Sequence, residues 1–254
     1  MKKNTSELME SNKNQYLENI FNFLNENREY NKIIQFESYK RSTSQYPDIN
    51  KKVYSLLHHI LNTQPQLRMD KSCEFFKKIY NKNIDTFENL LKVLDPKKEL
   101  KLTFKSLFEL LVEQDGWGKK TSALFVKAIY NMHNGYAKEL KFWNDVPELS
   151  NNDELYIPVD IVIRHIFSDH CKKNHCKNDF KGINKYIKEF SNKNIDIWDD
   201  LWFWGFITQS SKGKKRKRIM KFNESKYWNL KDAPKDELNI NKIKKLSEEF
   251  LTLI

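Results

Sequence analysis

Apolar residues recur along this chain at the spacing of a helix face. Val53, Leu56, Leu57, Ile60 and Leu61 follow an i, i+3, i+4, i+7, i+8 pattern. Phe104, Leu107, Phe108 and Leu111 repeat it, and Phe125, Ile129 and Met132 continue it; near the end Ile243, Leu246, Phe250 and Leu253 form a narrower stripe. Period-two alternation is nearly absent, and no Asp-Gly or Asn-Gly hairpin separates β-type runs. The pattern predicts an all-α fold.

The same reading divides the chain. Residues 1–15 are polar and read as a flexible tail. Residues 16–50 hold a helix from about Tyr16 to Glu26 and then a polar connection, "YKRSTSQYPDIN", and are expected to pack with the C-terminal subdomain. A central helical subdomain runs over 51–170, with two helices paired at about 104–132. Inside it "HNGYAKELKFWNDVPELSNNDELY" has no clean period, so about 134–156 reads as a long loop or insertion. Residues 171–254 form a C-terminal helical subdomain carrying the basic tract "KGKKRKR", Lys212 to Arg218.

Composition changes this picture in three ways. Hydrophobic content of 39% with 13% aromatics excludes a disordered chain. A net charge of +11 over 254 residues suits a partner of polyanions, although an AT-rich genome writes the same lysine and asparagine excess into any protein. Cys73, Cys171 and Cys176 are too few and unpaired for a disulfide framework. The first lysines are not followed by an apolar run of signal-peptide type, and "LWFWGFI" is far below spanning length. A cytoplasmic chain with no membrane association is expected, nucleoid-associated in a prokaryote.

Glycine is scarce, six residues in all, yet Gly116 and Gly118 flank Trp117 between two helical patterns. Such a Gly-x-Gly allows a sharp turn with positive φ and uncovers amides at the start of the next helix, where the dipole favours a phosphate. It is equally the composition of an ordinary helix–helix turn. Lys119 and Lys120 follow. A cation in the first turn sits at the wrong end of the helix dipole, a fault in a structural lysine and an asset where an amine must act as nucleophile. Lys119 can instead simply touch a phosphate. In "YIPVDIVIRHIF", Tyr156 to Phe167, Asp160 opens a helical face of Val162, Ile163, Ile166 and Phe167. It reads as an N-cap, and the same cap fixes a carboxylate at the mouth of a cleft.

"LLVEQDGWGKKTSALFVKAI" followed by "IPVDIVIRHIF" resembles the helix-hairpin-helix and Gly/Pro…Asp signature of the base-excision DNA glycosylase superfamily, in its 8-oxoguanine glycosylase and endonuclease III-like branches. Upstream, "LLHHILNTQPQLRMDKSCEFFKKIY" is similar to the family's leucine-rich helix, glutamine and second helix, with Gln64 at the glutamine. The likeness covers roughly Lys51 to Phe167, with a weaker echo at "DDLWFWGFITQSS". The gap from Lys120 to Asp160 is longer than the family's, and Val162 stands where many relatives carry His. Arg164 or His165 would then take over a phosphate contact.

The resemblance implies two helical subdomains with the active-site cleft between them, and a monomer acting on double-stranded DNA that holds a damaged base or abasic site. Lys120 would be the nucleophile that forms a Schiff base and Asp160 its electrostatic partner, giving glycosylase and associated lyase activity. Gly116, Gly118, Lys119 and Thr121 would hold phosphates at the hairpin, and Gln64 would fill the gap left by the flipped base. In the basic tract, Lys214, Lys215 and Arg216 would add salt-dependent affinity, unless that tract is only a solvated surface. Trp202 and Phe206, with Trp117, are candidates for the base pocket; at helical spacing they also read as core. The Lys/Asp pair slightly favours an oxidised base, 8-oxoguanine first. A non-catalytic helix-hairpin-helix module binding DNA or RNA is the alternative.

No cofactor is required by this reading. With no cysteine after Cys176, the family's iron–sulfur cluster is not expected. A monovalent cation on hairpin carbonyls is known in the family, and His170, Cys171, His175 and Cys176 raise a zinc question that adjacent ligands make awkward for a tetrahedral site.

Overall fold

The computed structural model describes residues 15–64, 66–97, 101–190, 194–212, 217–230 and 237–254. They are predominantly helical, and Cα packing divides the chain into two compact units: Met1–Ile34 with Val159–Ile254, and Gln35–Pro158. Residues 15–26 form α1, followed by α2 (Arg28–Thr43), within which the division falls. Helix α2 is an addition to the sequence reading, whose polar connection covers its last residues, 39–43. Its sequence carries few apolar side chains, and Tyr39 is buried while Lys40 and Arg41 stay in water.

The 35–158 unit contains α3 (Ile49–Leu61), α4 (Met69–Ile79), α5 (Phe87–Leu94), α6 (Phe104–Val112) and α7 (Lys119–His133). The stripes expected from the sequence are its core: Val53, Leu56, Leu57, Phe104, Leu107, Leu111, Phe125, Ile129 and Met132 are all essentially inaccessible. Side chains close the helix starts, with Asp48 accepting from Lys51 N, Thr86 from Asn89 N and Thr103 from Ser106 N.

The aperiodic segment after α7 is irregular apart from a 3₁₀ turn, Lys138–Leu140, but it is built into this unit. Trp143 is fully buried and donates its indole N–H to Ile84 O at 3.1 Å. Asp145 accepts from Phe87 N and Glu88 N, both at 2.9 Å, and Asp153 from Phe104 N and Lys105 N at 2.8 and 2.9 Å. Two carboxylates of this segment thus satisfy amides at the starts of α5 and α6, where helices lack internal partners.

His133, at the end of α7, is 5% exposed, edge-on to Phe142 and stacked on Trp143. Burial, reinforced by the charge of Lys141, pushes its imidazole down to about 4, against smaller opposing effects of the Trp143 backbone and Asp145. Its folded value lies below the ordinary 6.5, so the stability it allows is complete above pH 6.5. As pH falls from 6.5 towards 4 the unfolded chain takes up a proton that the folded chain refuses. The expected loss is about 2 kcal/mol by pH 5. Urea unfolding at pH 7.5 and 5.0 tests this: a His133→Gln protein, although less stable, should lose about 2 kcal/mol less than the parent between the two values.

The other unit combines α1 and the start of α2 with α8 (Ile161–Ile166), α9 (Ser168–Lys173), α10 (Phe180–Phe190), α11 (Ile195–Trp198), α12 (Asp200–Ile207), α13 (Glu224–Leu230) and α14 (Glu237–Leu253). Its core joins Leu17, Ile20 and Phe23 of α1 to Trp204 of α12 and Phe250 of α14; the Phe23 ring lies 5.0 Å from Trp204 and 5.5 Å from Phe250. Arg28 bonds Asp196 at 2.7 Å, and Asn31 donates to the buried Asp200 at 2.6 Å. Those contacts fasten α2 to the starts of α11 and α12.

Two features correct the sequence reading. Strands β1 (Gln209–Lys212) and β2 (Lys217–Met220) pair antiparallel, with Gln209 opposite Met220 and Lys212 opposite Lys217. The basic tract therefore includes strand residues, while Lys214, Lys215 and Arg216 lie outside the described residues. Cys171 and Cys176, expected unpaired, form a disulfide. The end of α9 turns back to bring their Cα atoms to 4.6 Å, with Cys176 N donating to Cys171 O and His175 in a left-handed conformation, φ 53°. Among the described residues no helix is long and apolar enough to cross a membrane.

Candidate functional site

In the 35–158 unit, α6 ends at Val112 with Glu113 as its C-cap and α7 begins at Lys119, so residues 113–118 make the whole turn. Only Gly116 has a positive φ, +82°; Gly118 has φ −107° and needs no glycine on that ground. The two glycines do different work. A Cβ on Gly116 would lie 3.4 Å from the backbone of Lys71 and Ser72 in the first turn of α4, whereas one on Gly118 would meet nothing within 4 Å. Gly116 lets the turn close onto α4, and Gly118 leaves the approach to α7 open.

Helix α4 and the loop before it brace this turn. Lys71 pairs with Asp115 at 2.8 Å, Lys78 donates to Gln114 Oε1 at 2.6 Å, and Gln64 Nε2 donates to Gly116 O at 3.2 Å. Gly116→Ala should therefore cost about 1–2 kcal/mol from the left-handed backbone alone. Gly118→Ala should cost less than about 1 kcal/mol. Thermal unfolding of the two variants should separate them, and equal losses would contradict the division of labour.

Gly118 is the N-cap of α7 and supplies no capping side chain, so the amides of the first turn keep their capacity for an outside acceptor. Lys119 beside them is exposed. Lys120 is half-buried, and its amine has no hydrogen-bond or ion-pair partner among the described residues. Thr121 is 4% exposed. Trp117 takes the core alternative. It is 5% exposed, with its ring 5.2 Å from Phe75 and 5.9 Å from Phe125.

The turn carbonyls bear on the cation expected from the resemblance. Gln114 O accepts from Trp117 N, Gly116 O from Gln64, and Gly118 O from Ser122 N. Each of these carbonyls accepts one hydrogen bond within the fold.

In the other unit, Asp160 is the N-cap of α8 as the sequence indicated. Its Oδ1 accepts from Val162 N at 2.8 Å and Ile163 N at 3.1 Å, and its Oδ2 accepts from the indole N–H of Trp202 at 3.0 Å. Three donors hold the carboxylate in one orientation. The sequence offered no sign of the third, because it depends on how closely α12 approaches α8. That approach needs Gly205, where a Cβ would come within 2.6 Å of Ile166 Cδ1 and 2.8 Å of Val162 Cγ1.

Trp202 and Phe206 stack at 4.9 Å with rings 15° from parallel, and both remain partly exposed. Lys226 Nζ lies 4.6 Å from the Phe206 ring centre and also donates to Phe206 O and Gln209 O. A fixed carboxylate thus borders an aromatic pair whose far side carries a cation. Arg164 is exposed but held: its Nε donates to Asn178 O and its own carbonyl accepts from Asn178 Nδ2, both at 2.9 Å. His165 is half-buried on the same helix.

The side chains that raised the zinc question have other partners here. The sulfurs of Cys171 and Cys176 are bonded to each other, and the His170 ring is engaged by Tyr186 and Asn174. Among the described residues no group of three or more His, Cys, Asp or Glu can hold a metal. Comparison with protein-family models, curated proteins and solved structures finds no match to this chain.

Proposed function

We propose that the chain is a DNA glycosylase with associated lyase activity, acting on a damaged base in duplex DNA, with 8-oxoguanine the first candidate. Lys120 carries the reading: a half-buried amine without an ion partner, in the first turn of a helix that no side chain caps.

In this reading the open approach at Gly118 and the free α7 amides take a backbone phosphate, and the chain's positive charge adds affinity without reading sequence. The damaged nucleotide is turned out of the stack. As the bond from C1′ to the base nitrogen lengthens, positive charge grows on the sugar, and Asp160 opposes it. The free amine of Lys120 bonds to C1′, the base leaves with the electron pair and gains a proton, and the opened sugar is held as an iminium. Loss of a C2′ proton then expels the 3′ phosphate. Both side chains must reach the same nucleotide.

Borohydride reduction tests this on duplexes carrying one lesion or one abasic site. A covalent protein–DNA adduct is expected; none on any substrate would remove the reading. A non-catalytic hairpin module is the second reading, and Gln64 favours it: the side chain that would fill the gap in the stack is committed to Gly116 O.

A further inference from the structure

The 35–158 unit carries a surface groove of about 940 Å³ that the chemistry above does not use. One wall is α3, the other is the end of α4 and the turn after it. Tyr54 and Phe76 line the floor, and Tyr80, 69% exposed, stands at the rim. Asn81 takes a left-handed conformation, φ 57°, which reverses the chain just after α4 with Tyr80 and Lys82 on either side.

The polar groups fall into two classes. Tyr54 OH donates to Ile79 O at 2.7 Å and so fixes the turn, and Asp48, the carboxylate of the groove, is occupied in capping α3. Lys51 and Lys82 are exposed, and no carboxylate pairs with them among the described residues. The groove therefore combines the aromatic side chains of Tyr54, Phe76 and Tyr80 with two unpaired cations and one carboxylate held at the α3 cap. This matches the requirements of a strand of nucleic acid whose bases are unpaired: faces on which bases of any sequence stack, and charge that follows the phosphates. A duplex hides its base faces, and an acidic peptide has no need of ring faces.

We infer that this groove binds single-stranded nucleic acid. The inference rests on the polyanion part of the proposed function and not on Lys120 chemistry. The two sites share α4. Gly116 packs on its first turn at Lys71 and Ser72, while Phe76 and Tyr80 lie four and eight residues further on, about 6 and 12 Å along the axis. A strand leaving the hairpin along α4 meets the groove within a few nucleotides.

The test uses the full chain and a fluorescein-labelled dT12 oligonucleotide, with anisotropy read over a salt series. Tyr80→Ala should weaken binding about tenfold while Tyr80→Phe binds as the parent does. Lys51→Ala with Lys82→Ala should lower the slope of log affinity against log salt by about 1.4. Photo-crosslinking of a bromodeoxyuridine-substituted strand should map to the peptide holding Tyr80. Unchanged affinity in Tyr80→Ala, or crosslinks only elsewhere, overturns the inference, as does Tyr80-dependent binding of a neutral oligosaccharide in place of dT12. The two proposals separate on the parent protein: Tyr80-dependent dT12 binding with no borohydride adduct on any lesion duplex removes the Lys120 reading alone, and an adduct with dT12 binding that ignores Tyr80 removes this one.

Discussion

Lys120→Gln should abolish the borohydride-trapped adduct, and with it the strand cleavage, that the proposed function expects. An amide has no nucleophilic lone pair, so the loss should be complete where removing a hydrogen bond would give only a partial one. The variant should otherwise resemble the parent. Lys120 has no ion pair or hydrogen bond among the described residues, so nothing is left unpaired by its removal, and stability should change by less than about 0.5 kcal/mol. Duplex affinity should stay near the parent's, because in this reading the α7 amides, and not this amine, hold the phosphate. Lys119→Gln is the necessary partner. Lys119 is exposed and adjacent, and its variant should keep the adduct. An adduct that survives in Lys120→Gln and disappears in Lys119→Gln would move the nucleophile by one residue. Survival in both would place the reactive amine outside the hairpin.

The sequence made the 35–158 core readable because α3, α6 and α7 each bury one face, so their apolar residues fall at helical spacing. It was silent where partners are far apart in the chain. Asp145 and Asp153 look like loop carboxylates until the amides of α5 and α6, some fifty residues earlier, are found on them. Helix α2 was missed over its last residues, 39–43, because a run of lysine, arginine, serine and threonine has no apolar rhythm even when its tyrosine is buried. The β1–β2 ribbon was missed for a related reason: its strands are short and largely polar or basic, and backbone pairing rather than an apolar face defines them.

The candidate site divides along the same line. Gly116, Gly118 and the two lysines stand together in the sequence, and a local turn was enough to read them. The positive φ that a Gly-x-Gly allows falls on Gly116 alone, and φ at Gly118 is an ordinary extended value. Trp202 and Phe206 were legible as an i, i+4 pair, but the contact from Trp202 to Asp160 was not. It exists because Gly205, one of the scarce glycines, lets α12 lie against Val162 and Ile166. A glycine inside an aromatic-rich helix was the only local trace of it, since glycine there carries a cost of about 1 kcal/mol that close packing can offset.

Asp160→Asn should lower base release by about 100- to 1,000-fold, the range seen when a group aimed at developing charge is neutralised. The fold should survive, because asparagine is as good an N-cap as aspartate and its carbonyl can still accept from Val162 and Ile163. The remaining atom decides how far the effect is electrostatic. In the parent, Oδ2 accepts from Trp202 Nε1; in the variant an NH₂ group faces that N–H, and the mismatch should cost about 1–3 kcal/mol of stability. Trp202→Phe resolves the ambiguity. It keeps a ring to stack on Phe206, removes the donor and leaves the carboxylate's charge in place, so base release should fall only about tenfold. Single-turnover excision on a lesion duplex measures both variants, with duplex affinity as the control. Affinity should hold or rise in Asp160→Asn, since an anion has been removed from a polyanion's partner. If Asp160→Asn excises at the parental rate, the carboxylate is a helix cap and nothing more. If Trp202→Phe loses as much as Asp160→Asn, the indole's grip, rather than the charge it orients, is what the reaction needs.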